Sequence, residues 1–84
     1  MNRKKLLRRL AHGHLQNVAF PDFVHLVKGF GFELLRVSGS HHIFGHPDMP
    51  GLINLQEVGG QAKPYQIRQF LRLVERYNVK MEDD

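Results

Sequence analysis

The sequence predicts an α+β fold of two helices, a three-stranded antiparallel meander and a closing helix, in one domain of 84 residues. Three observations carry that expectation. Apolar residues recur at helical spacing near both ends of the chain, and between them short apolar runs alternate with glycine- and proline-rich turns. The chain is also too short to divide its apolar residues between two cores. The core is expected over about residues 20–78, with 1–19 as an N-terminal helical extension and 79–84 as an acidic tail.

The first helix is expected over Arg3–His12. Leu6, Leu7 and Leu10 fall on one face, Lys4, Lys5, Arg8 and Arg9 cover the other, and Gly13 ends it. A second helix starts at Pro21, since proline suits a first turn whose N–H groups lack partners. Phe23, Val24, Val27 and Phe30 continue it, and Gly29 and Gly31 stop it. Phe32–Val37 and His41–Gly45 then read as a hairpin about the turn Ser38-Gly39-Ser40. Residues 47–51 form a second turn, and Leu52–Leu55 is a third strand. Gly59-Gly60 opens a loop ending at Lys63-Pro64. In the last helix Ile67, Phe70, Leu71, Val74 and Tyr77 make one apolar stripe, while Arg68, Arg72 and Arg76 form a basic ridge beside it. Helices cover one face of the sheet and leave the other open.

Composition narrows the class. There is no cysteine, so neither a disulfide nor a thiolate metal site staples the fold. The basic N-terminus is not followed by the apolar run of a signal peptide, and no stretch approaches the roughly 18 apolar residues of a membrane span. A soluble, cytoplasmic protein is expected. Twelve Lys and Arg against eight Asp and Glu give a formal charge of +4, and three of the acids are the last three residues. A basic domain of this size favours polyanions, because phosphate contacts release counterions.

The segment Gly39-Ser40-His41-His42-Ile43-Phe44-Gly45-His46 concentrates the chemistry. Histidine is the natural general acid or base near neutral pH. RNA brings its own nucleophile, the 2′-hydroxyl, so one positioned histidine beside cations can promote strand cleavage. The alternative is that these are half-exposed strand residues without chemistry. Successive strand side chains point to opposite faces, so His41 pairs with Ile43 and His42 with Phe44. If Phe44 packs on the helices, His41 faces out; the opposite register exposes His42. A metal site is disfavoured, because zinc wants converging ligands and His41 opposes His42.

Basic residues supply further readings. The Arg68, Arg72 and Arg76 ridge is either a phosphate track or a solvated face, with Glu75 as a local partner of Arg72. Lys63 stands before a helix N-terminus, which attracts phosphate, or is a loop residue in water. The N-terminal basic helix either binds nucleic acid or docks its leucines on the core.

From Phe23 to about Tyr77 the chain resembles the HicA family of toxin–antitoxin mRNA interferases. The matching features are Gly31-Phe32, Leu34, Arg36, then Gly39-Ser40-His41-His42-Ile43-Phe44 with His46-Pro47. Pro50-Gly51-Leu52-Ile53, Lys63-Pro64 and the closing amphipathic helix continue the match. The resemblance implies a fold like the double-stranded-RNA-binding domain, α-β-β-β-α, here with an extra N-terminal helix. It implies a ribonuclease that cleaves mRNA with no metal or other cofactor, and a HicB-like antitoxin as partner. The family's catalytic histidine falls on His41, with His42 as the fallback. The chain departs from the family in carrying Gln56-Glu57 where a Pro-His pair is common.

The expected function is therefore a toxin endoribonuclease, with Arg36, Ser40, Lys63 and Arg68 as RNA contacts. Its partners are mRNA and the antitoxin, and its assembly is a homo-oligomer or a hetero-oligomer with that antitoxin. The rival is a non-catalytic RNA-binding module of the same fold.

Overall fold

Asn2 opens the first helix by accepting the Lys5 amide at 2.8 Å, meeting one donor that a helix N-terminus leaves unpaired. In the computed structural model, which describes residues 1–82, this helix, α1, spans Arg3–Ala11 and α2 spans Phe20–Gly29. The strands β1 (Glu33–Ser38), β2 (His41–Gly45), β3 (Leu52–Val58) and β4 (Gln61–Ala62) follow, and α3 (Pro64–Arg76) closes the chain. The strands form one antiparallel sheet in the order β1-β2-β3-β4. Pro21 and Pro64 occupy the first turns of α2 and α3, as proline geometry favours.

The fourth strand is the main addition to the expected layout. β3 continues to Val58, and Gly59-Gly60 turns the chain back as β4 instead of opening a loop. Gln56-Glu57-Val58 carries no apolar alternation; its extended form comes from neighbours, with Gln56 opposite His41 and Val58 opposite Gln61. β4 is covered in turn by the stretch before α2. Ala62 donates to the Val18 carbonyl and Phe20 to the Gly60 carbonyl, both at 2.9 Å, so that sheet edge is not left open.

The core lies between one sheet face and the helices. Phe23, Leu26 and Val27 of α2 pack with Phe44, Leu55, Ile67 and Phe70. Phe70 is central: its ring lies 5.5 Å from Phe23 and Phe30 and 5.4 Å from Phe32, spacings suited to edge-to-face contact. Leu6, Leu10, Leu15 and Val18 belong to the same cluster, so residues before the second helix are part of the one hydrophobic core. Arg3 Nε also donates to the His25 carbonyl at 2.8 Å, fastening α1 to α2.

Two local features differ from the sequence reading. Tyr77 leaves the α3 stripe: it caps the helix, is exposed, and carries the Arg76 guanidinium over its ring. The helix ends at Arg76, so the next turn never brings Tyr77 round to the core. The tail also docks as far as Glu82, whose amide donates to the Gly29 carbonyl at 2.7 Å. Asp83 and Asp84 lie outside the described residues. No helix of the described residues is long and apolar enough to cross a membrane.

Candidate functional site

The site begins with a tight turn. Ser38 pairs with His41, so only Gly39 and Ser40 connect β1 to β2. A two-residue hairpin loop needs positive φ at its first position for the strands to keep their twist, and Gly39 has φ +60°. A side chain there would strain the turn. The turn delivers Ser40 and His41 together at the end of the sheet.

Strand alternation then separates the adjacent histidines. Phe44 is fully buried against the helices, so His42 shares its face. The His42 ring is half-buried, 4.7 Å from Phe20, with Nδ1 donating to the Ser40 carbonyl at 3.2 Å. His41 faces the other way and is exposed, beside Ile43 and opposite Gln56. Ile43 is shielded yet lies outside the core cluster, as expected on the open face.

His41 Nδ1 lies 3.1 Å from Asn54 Oδ1. An amide oxygen can only accept, so Nδ1 is the donor in this contact and the ring is held from that side, with Nε2 making no hydrogen bond among the described residues. Gln56 donates through Nε2 to Ser40 Oγ at 3.3 Å, and the Glu57 amide donates to the Ser40 carbonyl at 2.9 Å. Behind them, Gln66 of α3 acts as a substitute strand. Its Oε1 accepts the Gln56 amide at 2.9 Å and its Nε2 donates to the Asn54 carbonyl at 3.2 Å. Those backbone groups lie where β4 is too short to reach, and Gln66 satisfies both.

The structure groups some of the expected cations and separates others. A β-bulge between Leu34 and Arg36 places Arg36 opposite Ile43. In a regular register Leu35 would pair with Ile43, and Arg36 would fall opposite His42 on the helix side, because a one-residue slip exchanges faces. With the bulge, Arg36 shares the open face with His41. Lys63 follows directly on the Glu57–Ala62 pair, hence level with Gln56, and its ammonium lies 5.5 Å from the Tyr65 ring centre. Arg68 is exposed but stands two residues beyond Gln66. That is about 200° around the helix, away from the side that meets β3. Arg72 and Arg76 are likewise exposed on α3.

Sequence reasoning missed Asn54, Gln56 and Gln66. The alternation Ile53, Asn54, Leu55 was a usable signal for Asn54, since buried Leu55 sends it to the face of His41, while Gln56 lay beyond the expected strand. Gln66 offered none. Among the described residues no group of three or more His, Cys, Asp or Glu side chains is placed to hold a metal ion.

Helices on one face of an antiparallel sheet, and an outward histidine on the other, define a small α+β protein with a layout like the double-stranded-RNA-binding domain. Residues 20–75 match the family model for the HicA toxin of bacterial toxin–antitoxin systems, and the chain belongs to that family. Membership implies a cognate antitoxin. No curated protein and no solved structure matches the chain. The family match begins at the first residue of α2 and leaves out α1.

Proposed function

We propose that this chain is the toxin endoribonuclease of such a pair, a cytoplasmic mRNA interferase that needs no metal and is neutralised by a HicB-like antitoxin. The observation that carries the reading is the bond from His41 Nδ1 to Asn54 Oδ1 on the open sheet face. It supports a ring held by Nδ1 on an exposed residue, with Nε2 left for exchange with a substrate.

The step follows from the substrate. His41 Nε2 removes the proton of an RNA 2′-hydroxyl, and the 2′-oxygen bonds to the adjacent phosphorus. The bond from phosphorus to the 5′-oxygen breaks, and the leaving oxygen takes a proton from the imidazolium or from water. The products are a 2′,3′-cyclic phosphate and a 5′-hydroxyl. Arg36 and Lys63 oppose the charge that builds on the phosphate oxygens, and Ser40 is free to donate its hydroxyl hydrogen to them. Arg68 would meet RNA only along a longer path. Positioned acid–base catalysis of this kind contributes about 10²–10⁴-fold.

Purified protein should therefore cut RNA in excess EDTA to cyclic-phosphate ends. His41→Ala should lower the rate by about 10²–10⁴-fold with the fold intact, while His42→Ala keeps cleavage. Wild-type cleavage by His41→Ala would remove that residue from the mechanism. Salt-dependent RNA binding with no cut product would instead identify a non-catalytic binding module.

A further inference from the structure

The excess of positive charge in this protein comes from one helix. Of its twelve Lys and Arg, five lie between Arg3 and Arg9, a stretch without a single acid. The remainder of the chain holds seven basic residues against eight acidic ones. The family domain is thus close to neutral, and the net charge of +4 belongs to α1.

Helix geometry sorts those residues. At about 100° per residue, Leu6 and Leu10 point inward and are 1% and 2% exposed. Lys4, Lys5, Arg8 and His12 lie on the outer side, with half-buried Arg9 on its flank. Lys4, Lys5 and Arg8 are exposed, and no side-chain ion pair holds them among the described residues. Arg8 stands in the last turn, where a cation suits the helix dipole, but the placement of Lys4 and Lys5 does not serve the helix. A helix N-terminus is positive and favours acids over bases, yet the first turn of α1 contains no acid. The helix is nonetheless held firmly by the Asn2 cap, the Arg3 bond to His25 and the ion pair of the N-terminal amine with Asp22 at 3.2 Å.

We infer that the outer face of α1 is a docking surface for the phosphate backbone of RNA, separate from the His41 face and additional to the family domain. This rests on the proposed RNA substrate. A membrane surface fits less well, because the apolar side that would insert is already spent in the core. A protein partner fits less well too, because the outer face offers no aromatic anchor, and Arg8 stands among lysines without the packed apolar surround in which an arginine dominates a protein interface. Phosphates need only charge. The face would hold long RNA near the site without reading its sequence.

The test uses full-length protein in the slow-cleaving His41→Ala background and a fluorescent single-stranded RNA, with affinity followed against salt. Lys4→Gln, Lys5→Gln and Arg8→Gln together should lower the slope of log affinity on log salt by about 2, at ~0.7 per phosphate contact. Glutamine keeps helix propensity and relieves the dipole conflict, so the melting temperature should hold or rise. The charge-preserving set Lys4→Arg, Lys5→Arg and Arg8→Lys should leave the slope as it was. In otherwise wild-type protein the glutamine set should raise KM for long RNA and spare cleavage of a dinucleotide. An unchanged slope overturns the proposal, as does binding to anionic vesicles or polyglutamate that exceeds RNA binding and is lost with the same set. Dinucleotide cleavage by wild-type protein reports on His41 alone, so failure of the α1 reading and failure of the nuclease reading are told apart.

Discussion

Strand β2 starts with one histidine and is followed by another, and their surroundings differ in every respect that matters for chemistry. His46, just past the strand, has both ring nitrogens engaged. Nε2 donates to the Phe30 carbonyl at 3.0 Å and Nδ1 accepts the Asp48 amide at 3.0 Å. Its ring packs on Phe32 with centroids 4.9 Å apart. Gly31 makes room for it, because a Cβ there would come within 2.9 Å of Nε2. Such a ring is a strut joining the end of α2 to the 47–51 turn, with no nitrogen left to move a proton. His41 has one nitrogen bonded and the other facing solvent. Histidine becomes a candidate catalyst here through an unfilled hydrogen-bond valence, not through its residue type.

That contrast is most easily broken at His46. His46→Leu leaves the part-buried Phe30 carbonyl without its partner and the exposed Asp48 amide to water, and an unsatisfied buried group costs about 1–3 kcal/mol. Denaturant melts should show a loss of that size, while cleavage per folded molecule stays near wild type. A variant of normal stability that has lost cleavage would reverse the roles of the two histidines.

The support behind His41 should respond less. Gln66→Leu removes the group that bonds two backbone atoms of β3, and this edge lies within reach of water. A stability loss of about 1 kcal/mol is expected from the missing hydrogen bonds. Because Asn54 is carried by the same backbone, kcat should fall more than KM rises. Equal kcat in Gln66→Leu and wild type, measured well below the melting temperature, would show that α3 does not hold the face proposed for catalysis.

The contrast also marks what the sequence could tell. The order of elements was legible because apolar periods of 3.6 and 2 fall in separate segments, and Phe44 in the core turned His41 outward as alternation predicts. The end of β3 and all of β4 were not legible, since Gln56 and Glu57 are extended only by pairing with residues far along the chain. The face of Arg36 was hidden too. It depends on a bulge at Leu35, and a bulge is a property of two strands in register rather than of either one. Gln66 is a further case. A glutamine beside Ile67 on an amphipathic helix is unremarkable until the sheet edge it serves is known.

The finest test of the comparison lies between His41 and its partner. Asn54→Asp keeps an oxygen at the same position and adds a negative charge, so Nδ1 retains its acceptor. A carboxylate beside the imidazole favours the protonated ring. The base form required for cleavage is then reached only at higher pH, and the acidic limb of the pH–rate profile should move upward. The pair is exposed, and exposed ion pairs contribute about 0.2–1 kcal/mol. The displacement is therefore expected to be small and upward. Asn54→Leu, which removes the acceptor, should lower kcat without moving the limb in that direction. Were both variants to leave the profile and kcat untouched, the Asn54 contact would be incidental, and His41 would stand on the sheet no better prepared for catalysis than any other exposed histidine.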